Sequence, residues 1–526
     1  MATILKDKRA VLLKLKEPSR VTTVVPTARV IKHKDALLTA VPHRPDETRV
    51  LRQLGFKGIP DPLKTHYDFP LAGGKFNPFE AQVETANFFS MNNRCFCTNS
   101  MGLGKTVSAL YAYDYMRNAQ LVTRALIVCP LSTMERTWAD EIFKTFPYLD
   151  ATVVYGTRAK RLKLLEQKTD LYIINTDGIK IIEEALLKRP DINLIIVDEV
   201  AMFRTGGTQR WKTMNNILNK QPIQRRVWAL TGAPCPNDPT DAWAQCRLIT
   251  PGNTDVPKYF GAFRDMVMKQ VSQFKWVPKH NAMETVRRLM QPAIRFSLDD
   301  CVDLPPQIIL NRDSEMTPEQ TKAYKDMLSK LSMEYDGGQV LAVNEAVKAQ
   351  KLVQIACGVA YGKDGQEIVL PNKPRMDVLK ELIEESEGKV LVFVPLTAVL
   401  LHVAEELSKQ WSVGVIHGGT SKHERDTIFS GFQTASDPHI IVANPGTMSH
   451  GLTLTAGTTI VWFAPIYSND IYEQACARVR RPGQTKTTVI AHIAASEIER
   501  QIYKRLATKQ KMQGILLNLM KEAEID

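Results

Sequence analysis

The sequence predicts an α/β protein with two parallel-sheet lobes, a mainly helical insertion between them and a small N-terminal extension. Short, wholly apolar runs alternate with amphipathic stretches over residues 76–250, and the same rhythm returns after 375. Uninterrupted apolar runs mark strands buried on both faces, as in parallel sheets covered by helices. Between the two series the rhythm is lost, and polar and Met-rich helical patterns replace it.

Taken in order, residues 1–70 are basic and broken by Pro18, Pro26, Pro42, Pro45, Pro60, Pro62 and Pro70, with short β-like runs such as VTTVV. The stretch RVLRQLGFKGIP (49–60) makes this basic segment an accessory that either docks a partner or simply packs on the lobe behind it. Residues 71–250 form the first lobe, with strands at 126–129, 171–175, 194–198 and 227–232. Residues 251–375 are the helical insertion, punctuated by Pro305, Pro306 and Gly337-Gly338. Residues 376–526 form the second lobe, with strands at 389–394, 413–418, 439–444, 458–464 and 487–493.

Composition narrows the class. Hydrophobic residues make up 44% and charged residues 24% of 526, the balance of a globular protein with sizeable cores. No apolar run reaches the ~18–20 residues that span a bilayer. Lys14 and Lys16 interrupt the short apolar stretch near the N-terminus, so neither a membrane nor a secretory route is expected. The eight cysteines are scattered, and Cys95-x-Cys97 without a second nearby pair is a poor zinc signal. A net charge of +12 suits a polyanionic partner, since neutralised phosphates release counterions.

MGLGKTVSAL (101–110) follows the strand RCFCTNS and opens a helix. Glycines let backbone approach phosphate oxygens, and a helix N-terminus offers unpaired N–H groups with a favourable dipole. Met101, Gly102, Leu103 and Gly104 would therefore cradle ATP phosphates, Lys105 would reach the terminal ones, and Thr106 would complete a magnesium shell. Asn99 stands where the first glycine of such loops is usual. Ninety-three residues after Lys105, LIIV ends in Asp198-Glu199, at the ligand edge of a parallel sheet. Asp198 is placed to hold magnesium and Glu199 to orient or deprotonate water. The next strand ends in ALTGAPCPND, which brings Thr231 and Gly232 to the same edge.

With these elements in this order the chain resembles the superfamily-two helicases, and within them the Swi/Snf-type double-stranded DNA translocases, from about Phe76 to Gln484. The resemblance implies two RecA-like lobes and an ATP hydrolase. FNPFEAQ (76–82) looks like the segment whose glutamine reads adenine, here Gln82. In CPLSTMERTWADEI (129–142), whose helix bears Trp138 and Glu141, Ser132 and Thr133 correspond to DNA-backbone contacts, and in INTDGI (174–179) so does Thr176. LTGAPCPN (230–237) is similar to the motif that couples hydrolysis to movement, which assigns that role to Thr231 and Gly232. The family usually has a carboxylate at position 99 and a histidine at 201, where this chain has Asn99 and Ala201. The family's histidine link from hydrolysis to coupling is therefore absent.

In the second lobe, IYEQACARVRRPGQTK (471–486) reads as a helix stopped by Pro482-Gly483, with Gln474, Arg478 and Arg481 on one face. Taken alone, the pattern also fits a solvated basic helix end. The resemblance makes Gln474 a coupling residue and Arg478 and Arg481 arginine fingers, although Arg480 and Pro482 depart from the family's His and Ile. ANPGTMSHGLTLTAG (443–457) looks like the preceding motif, with Gly451 near the nucleotide and Thr447 toward DNA. IHGGTSKHERDTIFSGF (416–432) implies a backbone contact at His417, and no Cys or acidic partner makes His417 and His423 a metal pair.

These readings converge on a monomeric cytoplasmic motor (host-cytoplasmic if viral) of the compact bacterial or phage form. ATP and magnesium would sit between the lobes, and the motor would track double-stranded DNA during replication, repair or recombination. The alternatives are a strand-separating helicase acting on single-stranded DNA or RNA, and a non-catalytic DNA-binding scaffold. Nucleic-acid preference of the ATPase distinguishes the helicase. A scaffold would need a broken Lys105, Asp198, Glu199, Arg478 or Arg481, and all five are present.

Overall fold

The computed structural model describes residues 2–508 except 34–35, 221–223, 273–274, 336–341, 362–366 and 449–452. The chain divides into two compact units, Met1–Cys301 and Val302–Asp526. Residues 251–301 are thus continuous with the first unit, and those from 302 onward with the second.

The first unit opens with a small antiparallel sheet of β1 (Ala2–Leu5), β2 (Ala10–Leu13), β3 (Arg29–His33) and β4 (Ala36–Pro42), ordered β1-β2-β4-β3. It has its own core of Val11, Leu13, Val21, Val25, Val41, Leu51 and Ile59. Asp61 ties this layer to the lobe behind it, accepting from Arg52 at 2.8 Å and from Asn87 at 2.8 Å.

The main sheet follows, with β5 (Arg94–Cys97), β6 (Arg124–Cys129), β7 (Ala151–Val153), β8 (Leu171–Asn175), β9 (Ile192–Asp198) and β10 (Arg226–Leu230). After a hairpin of β11 (Met268–Ser272) and β12 (Lys275–Pro278), β13 (Ala293–Ile294) returns to the edge of this sheet. The order is β13-β5-β10-β9-β6-β8-β7, and every pair is parallel. Alternate residues serve opposite faces: Leu126 and Val128 enter one core, Ala125, Ile127 and Cys129 the other. Both faces are covered, so the strands read as continuous apolar runs. Full burial of each such aliphatic side chain contributes roughly 1.5–3 kcal/mol.

The second unit begins with β14 (Gln307–Asp313) and a hairpin of β15 (Val359–Tyr361) and β16 (Glu367–Val369). Its parallel sheet adds β17 (Lys389–Phe393), β18 (Val413–Ile416), β19 (Ile440–Ala443), β20 (Gly457–Trp462) and β21 (Thr488–Ala494). The order is β14-β21-β20-β17-β19-β18. An ion pair of Arg375 and Glu499 at 2.7 Å, both fully buried, ties a helix below this sheet to the C-terminal one.

All nine strands expected from apolar runs are present. Three features differ from expectation. VTTVV (21–25), read as β-like, begins inside the short helix Ser19–Thr22 instead. Strands β11 to β16 all lie within the stretch read as helical: β11-β12 and β15-β16 are hairpins, and β13 and β14 take their order from pairing with β5 and β21, not from their own burial. Ile308 and Ile309 of β14 are 45% and 48% exposed, the signature of an edge. Third, the helix carrying Gln474 spans Asn469–Cys476 and stops short of both arginines. The carbonyl of Arg478 takes the Leu454 N–H at 3.0 Å, and Gln484 Nε2 donates to the Val479 carbonyl at 3.3 Å. These tertiary bonds bend the chain into a turn, so Gln474, Arg478 and Arg481 do not share a helical face. Among the described residues no helix is long and apolar enough to cross a membrane.

Candidate nucleotide-hydrolysis site

Register brings the site together. Leu230 pairs with Cys97 on one side and Asp198 on the other, so β5, β10 and β9 end abreast. With strands about 4.8 Å apart, the loops after all three fall within roughly 10 Å of one another.

The loop after β5 bends through Gly102 (φ 87°) and Gly104 (φ 70°), and the helix Lys105–Asn118 starts from Gly104. A methyl group at Gly104 would run into the Gln82 side chain, so the loop is shaped against the residue expected to read adenine. Gln82 is itself pinned, its Oε1 accepting from the Phe79 N–H at 3.1 Å. Lys105 curls into the loop, its Nζ donating to the carbonyls of Asn99 at 2.9 Å and Ser100 at 3.3 Å.

Asn99 has a local reason for being there. The Thr85 hydroxyl gives its proton to the Ala81 carbonyl, so its oxygen requires a donor, which Asn99 Nδ2 supplies at 2.8 Å. Asn99 Oδ1 accepts from the Phe296 N–H at 2.9 Å. An ionised carboxylate could make the second bond but not the first. The same edge is closed by Arg295, which donates to the Thr98 carbonyl at 3.1 Å. These partners lie almost two hundred residues apart, and no local pattern announces them.

At the end of β9, Asp198 Oδ2 accepts from the indole N–H of Trp138 at 2.9 Å, and Oδ1 from the Glu199 N–H at 3.1 Å. Burial pushes the Asp198 carboxyl above the ordinary range, opposed by the Trp138 bond, the Lys105 charge and the Glu199 N–H. Glu199 sits at φ 52°, a left-handed conformation uncommon outside glycine. Thr231 Oγ1 donates to Glu199 Oε2 at 3.3 Å and accepts from the Ala233 N–H at 3.2 Å. The acid and the loop after β10 therefore touch directly, while Ala201 is buried nearby. A methyl on Gly232 would lie 3.0 Å from Met101 Cγ and 3.7 Å from Lys105 Nζ, which closes the circle of loops. Thr106 stands half-buried in the first turn of its helix.

On the same unit, Ser132 is exposed and Thr133 buried, with the Thr133 hydroxyl donating to the Pro130 carbonyl at 3.0 Å. Thr176 is also buried, donating to the Cys129 carbonyl at 3.1 Å. Beside it opens a groove of ≈ 550 Å³ lined by Asp177, Lys180, Arg204 and Arg210 among others.

In the second unit Gln474 is buried and donates to Asp470 at 2.9 Å. Arg478 is buried, and half-buried Arg481 donates to the Ala477 carbonyl at 2.9 Å and to Thr453 Oγ1 at 3.0 Å. His417 is half-buried at the end of β18, its Nδ1 accepting from the Gly419 N–H at 3.1 Å. Thr447 donates to the Asn444 carbonyl at 2.7 Å. Gly451 lies outside the described residues.

Two RecA-like parallel-sheet units, the first with a glycine loop, a lysine and an acidic strand end drawn together at one edge, define an ATP hydrolase of the helicase class. The chain belongs to the SNF2-related family: residues 77–358 match the model for the SNF2-related domain, and residues 374–483 that for the helicase conserved C-terminal domain. Putative protein p41 of Acyrthosiphon pisum secondary endosymbiont phage 1 is 23% identical over 448 residues, 80% of this chain and 94% of that one. Protein CHROMATIN REMODELING 5 of Arabidopsis thaliana is 24% identical over 85% of this chain, which spans only 27% of its length. DNA annealing helicase and endonuclease ZRANB3 of Bos taurus is 24% identical over 90% of this chain and 42% of its own. Among solved structures, the Sulfolobus solfataricus SWI2/SNF2 ATPase core in complex with dsDNA is 22% identical, covering 84% of this chain and 92% of its own, with a TM-score of 0.40.

Proposed function

We propose that the chain uses magnesium-dependent ATP hydrolysis to move along double-stranded DNA, in replication, repair or recombination. The observation that carries this reading is the shared register of Cys97, Leu230 and Asp198, which gathers phosphate loop, acid pair and Thr231 at one edge. The donor set fits the cofactor: a hydroxyl (Thr106) and a carboxylate (Asp198) are the hard oxygen ligands magnesium prefers. Bound magnesium supplies charge neutralisation across the transferring phosphoryl group.

Each side chain then has a task. Gln82 reads adenine, and the Met101–Gly104 backbone and Lys105 hold the phosphates. Glu199, kept at the strand end by Thr231, orients water and draws its proton. Arg478 and Arg481, as arginine fingers, supply positive charge to the phosphoryl group. Thr231, Gly232 and Gln474 pass the hydrolytic state onward. Thr231 bonds Glu199 directly, so the path does not need a histidine at 201. Ser132, Thr133, Thr176, His417 and Thr447 bring their loops to the DNA backbone. Because the Thr133 and Thr176 hydroxyls are engaged internally, exposed Ser132 carries the hydroxyl that this part of the lobe offers to a phosphate. Contacts of this kind do not read sequence.

A net charge of +12 supports a polyphosphate track, and the relative named a DNA annealing helicase supports DNA over RNA. The phage relative, matched over almost its whole length, supports the compact phage-like form and, with it, a host cytoplasm. The deciding experiment is the ATPase rate with duplex DNA, single-stranded DNA and RNA, with Lys105→Ala as the inactive control. Duplex DNA should stimulate most. Stimulation by RNA or single strands but not by duplex would replace this reading with that of a strand-separating or RNA helicase.

A further inference from the structure

The carboxylate at the end of β9 is held by a side chain from a different loop. Trp138 is fully buried, and its indole N–H points at Asp198 Oδ2 at 2.9 Å. Among the described residues, one other hydrogen bond reaches that carboxylate, from the neighbouring backbone N–H of Glu199. Trp138 lies on one unbroken helical run after β6: a 3-10 turn (Leu131–Thr133), a π-helical stretch (Met134–Ala139), then an α-helix (Asp140–Thr145). A π-helical stretch is rare and is drawn disproportionately to functional sites. Here it sets the register that turns the indole toward Asp198.

The other end of the run is open to solvent. Ser132 is exposed six residues before Trp138, on a turn stiffened by the Thr133–Pro130 bond and anchored by the bond from Thr176 to Cys129. A force applied at Ser132 is therefore delivered along a braced helical segment to the indole, and from there to the carboxylate.

We propose that Trp138 is a positioning residue that fixes Asp198 for the nucleotide's metal ion, and that the Leu131–Thr145 run transmits nucleic-acid contact at Ser132 to that carboxylate. This rests on the assignments above of Asp198 to magnesium and Ser132 to the DNA backbone. It gives the enzyme a route from DNA to the ATP site within its first lobe, separate from the route through Thr231.

The test is Trp138→Phe in the full chain, which keeps the ring and removes the N–H. Affinity is measured for ADP with magnesium and for ADP in EDTA, and ATPase with and without duplex DNA. Affinity for magnesium-ADP should fall about tenfold, the usual effect of removing a partner of a metal ligand, with metal-free ADP binding unchanged. The stimulation ratio by duplex should also fall severalfold. Equal changes in the two affinities, or none, overturn the positioning role; undiminished stimulation overturns the transmission. If the variant does not fold, amide exchange of residues 131–139 in the wild type decides: magnesium-ADP and duplex should each slow it, and no response to magnesium rejects the idea. Asp198→Asn separates the two layers. If it leaves the magnesium preference intact, the underlying metal assignment is wrong; if it abolishes the preference while Trp138→Phe does not, only the present inference falls.

Discussion

The Thr231 hydroxyl is the residue-scale hinge of the site, because it accepts from its own loop and donates to Glu199. Its place explains how a chain with Ala201 keeps the acid and the following loop in contact. Thr231→Val preserves shape and removes both bonds. A hydrogen bond to a charged group contributes about 1.5–3 kcal/mol, so turnover should drop at least about tenfold. Nucleotide affinity, measured separately, should hold. Unchanged turnover would show that Thr231 does not orient the acid. Asn99 teaches the complementary lesson: its amide is chosen by two partners of opposite polarity, Thr85 and Phe296.

Among the elements, the N-terminal sheet carries a built-in sensitivity to acid. His43 Nδ1 meets His66 Nε2 at 2.8 Å, and His43 Nε2 meets the Pro60 carbonyl at 2.9 Å. Only one proton can lie between the two rings, so the pair is satisfied when at least one is neutral. Burial lowers His43, and burial together with the His43, Arg9 and Lys6 charges lowers His66 from 6.5 to about 4. Folded-state values below the unfolded one mean that the unfolded chain binds more protons between about pH 6.5 and 4. The stability this pair contributes is therefore complete above about pH 6.5 and is lost as the pH falls toward 4. Amide exchange across β1–β4 should accelerate at pH 5 relative to its intrinsic rate, and His66→Asn should flatten that response. Equal protection at pH 7 and pH 5 would mean that the pair is not what holds the layer.

For the whole molecule, the excess of 68 Lys and Arg over 56 Asp and Glu is the property that the proposed duplex track would meet first. If about six phosphates are neutralised, duplex affinity should fall about a thousandfold between about 50 and 200 mM salt. Binding isotherms on duplexes of unrelated sequence should share that slope, because backbone contacts carry no sequence information. A shallow slope, or a strong preference for one sequence, would point to base contacts instead.

The sequence alone determined the two α/β lobes, since LIIV (194–197) and VLVF (390–393) are apolar throughout only because both faces of their sheets are covered. It also determined the chemistry-bearing loops, because a glycine loop before a helix and an acid pair after a buried strand are local statements. Tertiary structure decided the rest. That β10 lies between β5 and β9, that β13 and β14 complete the sheets, and that Leu454 holds the chain in a turn at Arg478 are matters of pairing between distant segments. The bond from Trp138 to Asp198 spans sixty residues, and that from Asn99 to Phe296 nearly two hundred. Periodicity records how a segment is buried, and only the folded chain records what it is buried against.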